Sequence, residues 1–70
     1  MLALSQAKQG ETYTVKWMFG VPEVLDFMRD CHIEEGSVIR VIGKSGNGLI
    51  VASKQKRVAI CAEVAERIKV

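Results

Sequence analysis

Glu34 to Ala52 reads EEGSVIRVIGKSGNGLIVA. Two runs rich in β-branched residues, at 38–42 and 49–52, flank Gly43-Lys44-Ser45-Gly46-Asn47-Gly48. Asn47-Gly48 between such runs predicts a β-hairpin, because both residue types tolerate the positive φ that tight hairpin turns use. Along the first run Ile39 and Val41 share one face, and Val38, Arg40 and Ile42 share the other. That second face is apolar at both ends around a charge, so it is half-wet or covered by something. The rest of the chain has to pack on or beside this hairpin.

A chain of 70 residues is expected to form a single domain, 1–70, with one small core. A domain of this size buries only about 60% of its unfolded surface. Its small sheet leaves little room for a deep catalytic pocket, which favours a binding module over an enzyme. The net charge is +2, with both signs present along the chain, too little to imply a nucleic-acid or membrane partner. No run of about 18 apolar residues exists, so no membrane span is expected. MLALSQAKQG at the start is too short and too polar for a signal peptide. The expected location is therefore cytoplasmic, and Cys31 and Cys61, which form no C-x-x-C pair, are expected to be free, buried thiols.

Outward from the hairpin, Ser5 is placed to cap a short helical turn that ends by Gly10. Tyr13, Val15, Trp17 and Phe19 alternate with polar or flexible neighbours, which predicts a strand with the aromatic residues on the core side. Gly20 ends it. Pro22 opens a helix over about residues 22–31, since proline is pre-organised for the first helical position. Val24, Phe27, Met28 and Cys31 form one stripe, widened by Leu25. His32 is placed to end the helix, being a residue type that tolerates the left-handed conformation. Gly36 turns the chain into the hairpin. Lys54-Gln55-Lys56-Arg57 reads as a basic turn and Val58-Ala59-Ile60 as a strand. A helical turn over 62–67 and a closing strand over 68–70 follow. The expected fold class is mainly β: a small barrel of about five strands that removes its own edges, with one short helix and a C-terminal helical turn.

Three clusters carry chemistry. Cys31 and His32, among Asp30, Glu34 and Glu35, are candidate ligands for a transition metal, with Fe2+ or Zn2+ as the ion. Helical neighbours point about 100° apart, however, so the simpler reading is a packed Cys31 and a capping His32. Gly43-Lys44-Ser45 resembles the end of a phosphate loop. Val38 stands where that motif needs its first glycine, and no helix follows, so nucleotide binding is rejected. Lys44, Lys54, Lys56 and Arg57 offer a positive contact for an acidic partner surface. Val38, Ile42, Leu49 and Val51 exceed what one small core needs, so part of this set is a candidate contact or self-association face. Trp17 reads as core. The single His adjoins a Cys, and neighbours cannot face each other as nucleophile and base, so no catalytic set is expected.

The order Gly10, Val15, Gly20, a helix ending near Ile33, Gly36, Ile39-x-Val41, Val58-Ala59-Ile60 and Ala65-x-x-Ile68-x-Val70 resembles the FeoA family of bacterial ferrous iron transport. It also resembles the SH3-like C-terminal domain of diphtheria-toxin-repressor-type iron regulators. The family's helix end runs Leu-x-x-Leu-Gly-Ile-x-Pro-Gly. Residues 28–36 match it, with Cys31 for Leu, His32 for Gly and Glu35 for Pro. The resemblance implies an SH3-like barrel, no catalytic residues, no required cofactor, and binding to the cytosolic side of the membrane GTPase and permease FeoB. Structural roles then fall to Gly10, Gly20, Gly36, Asn47 and Gly48. Residues 36–48 also resemble a KOW-type RNA-binding hairpin, the alternative reading beside a direct metal sensor. A continuous basic stripe with interleaved aromatics is missing from them, so nucleic acid is not favoured.

Overall fold

The computed structural model describes residues 1–54 and 56–70. After a single 3-10 turn at Leu4–Gln6 come β1 (Thr12–Thr14), β2 (Trp17–Met18), α1 (Pro22–Asp30), β3 (Val38–Ser45), β4 (Gly48–Ser53), β5 (Lys56–Cys61), α2 (Ala62–Glu66) and β6 (Ile68–Lys69). The mainly β fold agrees with the sequence expectation. Gln55, within the expected basic turn, lies outside the described residues.

The hairpin is the centre of an antiparallel sheet ordered β1-β3-β4-β5. Its inner face carries Ile39 and Val41 from β3, Leu49 and Val51 from β4, and Val58 and Ile60 from β5, all buried. Burying each such side chain contributes about 1.5–3 kcal/mol, which makes this face the main source of stability. The last cross-strand pair before the loop is Ser45 with Gly48, so Gly46 and Asn47 form the loop. None of the three residues from Gly46 to Gly48 has a positive φ. The Asn-Gly pair therefore marks the hairpin without using the left-handed freedom that makes it a hairpin signal. Gly48 is required by space instead. A Cβ there would collide with the Ile60 carbonyl oxygen and lie 2.9 Å from the Cα of Cys61.

The stretch from Thr12 to Phe19 is not one strand. The Val15 N–H donates to the Ser37 carbonyl at 2.8 Å, while the Lys16 N–H donates to the Lys69 carbonyl at 2.8 Å. The chain thus crosses from β3 to β6 between these two residues, and the crossing resets the alternation. Val15 and Met18 are buried, whereas Trp17 and Phe19 are 48% and 41% exposed, against the expectation that both are core. Their ring centroids lie 4.8 Å apart, with Lys69 Nζ 5.9 Å from the Phe19 ring. Because β1 pairs only with β3, and β2 only with β6, the barrel stays open among the described residues, with β1 and β5 as edges. The expectation of a barrel without edges is corrected accordingly. The β2–β6 ladder is extended by the N-terminal segment, where Leu2 and Val70 exchange backbone hydrogen bonds of 3.0 and 2.7 Å.

α1 begins at Pro22 as its sequence predicts. It ends in two reverse bonds: His32 N–H to the Arg29 carbonyl at 2.9 Å and Ile33 N–H to the Met28 carbonyl at 2.8 Å. This is the Schellman arrangement, and it sets His32 at φ 65 in the left-handed region. The His32 carbonyl then accepts the Oγ hydrogen of buried Ser53 at 2.8 Å, which ties the helix end to β4. The core stripe of α1 is Met28 with half-buried Val24, Leu25 and Cys31. It is rotated away from Phe27, which is 56% exposed rather than core. Two smaller expectations also change. Ser5 caps nothing, and its Oγ donates to Glu66 Oε1 at 2.9 Å. Both cysteines are free, but Cys31 is half-buried and Cys61 exposed.

Candidate functional site

Antiparallel pairing lines up side chains across strands, so register decides which residues share the outer sheet face. Thr12, Arg40, Ala52 and Arg57 stand in one cross-strand row. Gly43, Ile50 and Ala59 form the next. Between Val41 and Gly43 the register shifts, which leaves Ile42 as the extra residue of a β-bulge. The apolar set singled out from the sequence divides here. Leu49 and Val51 are buried, Ile42 is half-buried, and Val38 is 59% exposed on the outer face. Ile50, 42% exposed, joins Val38 there.

The outer face is shaped by residues that lack bulk. Gly43, Gly48 and Ala59 surround Ile50 and leave a shallow apolar groove of about 350 Å³, with Lys44, Ser45 and Asn47 at its rim. Ile50 leans across Gly43, where an added Cβ would sit 3.9 Å from Ile50 Cδ1. Charge is one-sided: from Gly36 to Ala62 the chain holds Arg40, Lys44, Lys54, Lys56 and Arg57 and no Asp or Glu. The small net charge conceals this asymmetry along the sequence; in space Glu34 and Glu35 line a hollow with Val38 and Lys54 at the start of β3.

The basic residues expected at a contact surface do not act as one patch. Arg57 lies on the outer face beside Ala52. Lys56 pairs with inward-facing Ser53 and projects from the end of the sheet. Lys54 occupies the turn between β4 and β5 at φ 55. Lys44 has a partner within the chain: its Nζ donates to the carbonyls of Ala7 at 2.8 Å and Ser5 at 3.2 Å, satisfying the open end of the 3-10 turn. Sequence patterning does not single out Arg40 or Ile50. The acid-free run that embeds both is the signal that marks them. Cys31 and His32 remain sequence neighbours without company, since among the described residues no three His, Cys, Asp or Glu side chains group to hold a metal ion. Gly10, Gly20 and Gly36 all have positive φ. At Gly36 the N–H also donates to the Val15 carbonyl at 2.8 Å, which pins the entry to β3 against the crossing point. Among the described residues no helix is long and apolar enough to cross a membrane.

Residues 2–70 match the FeoA domain family. The fold superposes on a crystal structure of the iron uptake regulatory protein FeoA with a TM-score of 0.86 at 22% identity, covering 96% of this chain and 91% of that one. It superposes on the solution structure of FeoA from Chlorobium tepidum with a TM-score of 0.90 at 20% identity, covering 97% and 67%. A manganese-dependent transcriptional repressor aligns with a TM-score of 0.83 at 23% identity, over 96% of this chain but 39% of the repressor. At these identities the likenesses establish the SH3-like fold. No curated protein matches the chain in sequence.

Proposed function

The chain belongs to the FeoA family, which is linked to ferrous iron transport, and on that premise we propose that it is a cytoplasmic, non-enzymatic accessory protein that binds the cytosolic part of a FeoB-type GTPase and permease. The contact is the outer face of the β1-β3-β4-β5 sheet. One observation carries this reading: exposed Ile50, and Val38 further along, sit on a face where, among the described residues, the charged side chains of the cross-strand rows are Arg40 and Arg57. Exposed apolar surface rimmed by charge marks interaction sites. The paired arginines also select and steer an acidic partner.

The test is calorimetric titration of the cytosolic G-domain of the cognate transporter, with and without guanine nucleotide. Wild type is compared with the double variant Arg40→Glu, Arg57→Glu. The expected result is binding that the variant weakens by at least about tenfold and makes less sensitive to salt. Equal affinity of variant and wild type removes this face as the contact.

A further inference from the structure

The outer sheet face has a complement on the same molecule. α1 carries Glu23, Asp26 and Asp30 against one basic residue, Arg29, which lies 3.8 Å from Asp26. The acidic surface continues through Glu34 and Glu35 to the start of β3, where they line a hollow with Val38 and Lys54. In its midst Phe27 is 56% exposed. Glu23 stands one turn before it and Asp30 one turn after, so the ring is an apolar knob between carboxylates. The sheet presents the inverse pattern: an apolar groove with Arg40 and Arg57 in the adjoining row and no acid along the strands. The Phe27 knob and the Ile50 groove cannot meet within one molecule. Ser53, on the inner side of β4, holds the end of α1 through the His32 carbonyl, whereas Ile50 and Ala59 face outward.

We propose that this chain associates with itself head to tail. The Phe27 knob of one copy enters the Gly43–Ile50–Ala59 groove of the next, and Glu23 and Asp30 lie against Arg40 and Arg57. The contact uses two different patches, so it is heterologous and leaves one knob and one groove free at the ends of every open assembly. One short helix on a shallow groove is a small interface, of the kind that forms weak, reversible complexes. The inference rests on the outer sheet face being a docking surface, and it adds a second copy of the chain as an occupant of that face.

Sedimentation velocity over a concentration series up to about 0.5 mM tests it, at about 50 mM and about 500 mM salt. The wild-type chain is expected to associate at low salt and at least about fivefold more weakly at high salt. Phe27→Ser removes the knob and Ala59→Glu fills the groove; both positions are exposed, and circular dichroism verifies the fold of each variant. Each variant alone is expected to be a monomer, while their equimolar mixture forms a one-to-one dimer from the intact groove of one and the intact knob of the other. A monomeric wild type at the highest concentration in low salt overturns the proposal. So does association that survives both substitutions, and so does a mixture that stays monomeric while the wild type assembles. If the chain is monomeric but Arg40→Glu, Arg57→Glu still weakens transporter binding, only the self-association falls.

Discussion

Gly48→Ala tests whether the hairpin is held by turn conformation or by space. The added Cβ would collide with the Ile60 carbonyl oxygen, 3.1 Å from its carbon and 2.9 Å from Cys61 Cα. Carbon atoms pack comfortably only at about 3.5–4.0 Å, and every obstructing atom is backbone, which cannot rotate aside. β5 therefore has to move away from β4 where Gly48 pairs with Cys61 and Leu49 with Ile60. The 2.9 Å bond from the Ala62 N–H to the Asn47 carbonyl, at the start of α2, is strained by the same movement. Overpacking costs about 1–3 kcal/mol, and one or two weakened backbone hydrogen bonds add about 0.5–1.5 kcal/mol each. Alanine's smaller unfolded-state entropy returns roughly 0.5–1 kcal/mol. The expected loss is about 3 kcal/mol, a large share of the roughly 3.5–10 kcal/mol available to a domain of this size. In a thermal melt that is a fall of about 12–24 °C. Gly46→Ala is the control, because a Cβ there meets nothing within 4 Å, and it should change stability by less than about 0.5 kcal/mol. Urea titrations and melts of both variants decide the matter. A Gly48→Ala protein within about 0.5 kcal/mol of wild type would refute the steric account.

His32→Gly should stabilise the fold by about 0.5–1 kcal/mol, since His32 bears the left-handed φ of 65 at a position glycine occupies without a Cβ penalty. A urea titration in which the midpoint does not rise would contradict the capping role. Lys44→Met should lower stability by about 0.5–1 kcal/mol by leaving the Ser5 and Ala7 carbonyls without their partner. An unchanged urea midpoint in the variant would contradict this anchoring role.

The hairpin, the proline-initiated helix and the mainly β class were legible in the chain because each rests on local chemistry. β-branched runs favour the pleated strand, proline opens a helix at no hydrogen-bond cost, and Ile39, Val41 and Val51 alternate as one buried face requires. The left-handed helix end at His32 was legible for the same reason, as a short-range property of three or four residues. The family was readable from the spacing of glycines and apolar positions. By contrast, the course of the chain after Val15 depends on residues far away in sequence. Lys16 bonds to Lys69 and Val15 to Ser37, and only that crossing decides that Met18 goes in while Trp17 and Phe19 stay out. The rotation of α1 that exposes Phe27 is settled by what lies beneath the helix, since its periodicity fits either stripe. The candidate site divides in the same way. The basic residues and the surplus of apolar ones are visible in the sequence, and so is the acid-free run around them. Cross-strand register and a bulge at Ile42 place Arg40, Arg57, Ile50 and Val38 on one face, and the bonds from Lys44 to Ser5 and Ala7 tie that lysine's charge to the first turn. Local propensities are written in a few neighbouring residues, whereas a surface is a property of which distant segments pair and in what register, and that is decided only when the whole core closes.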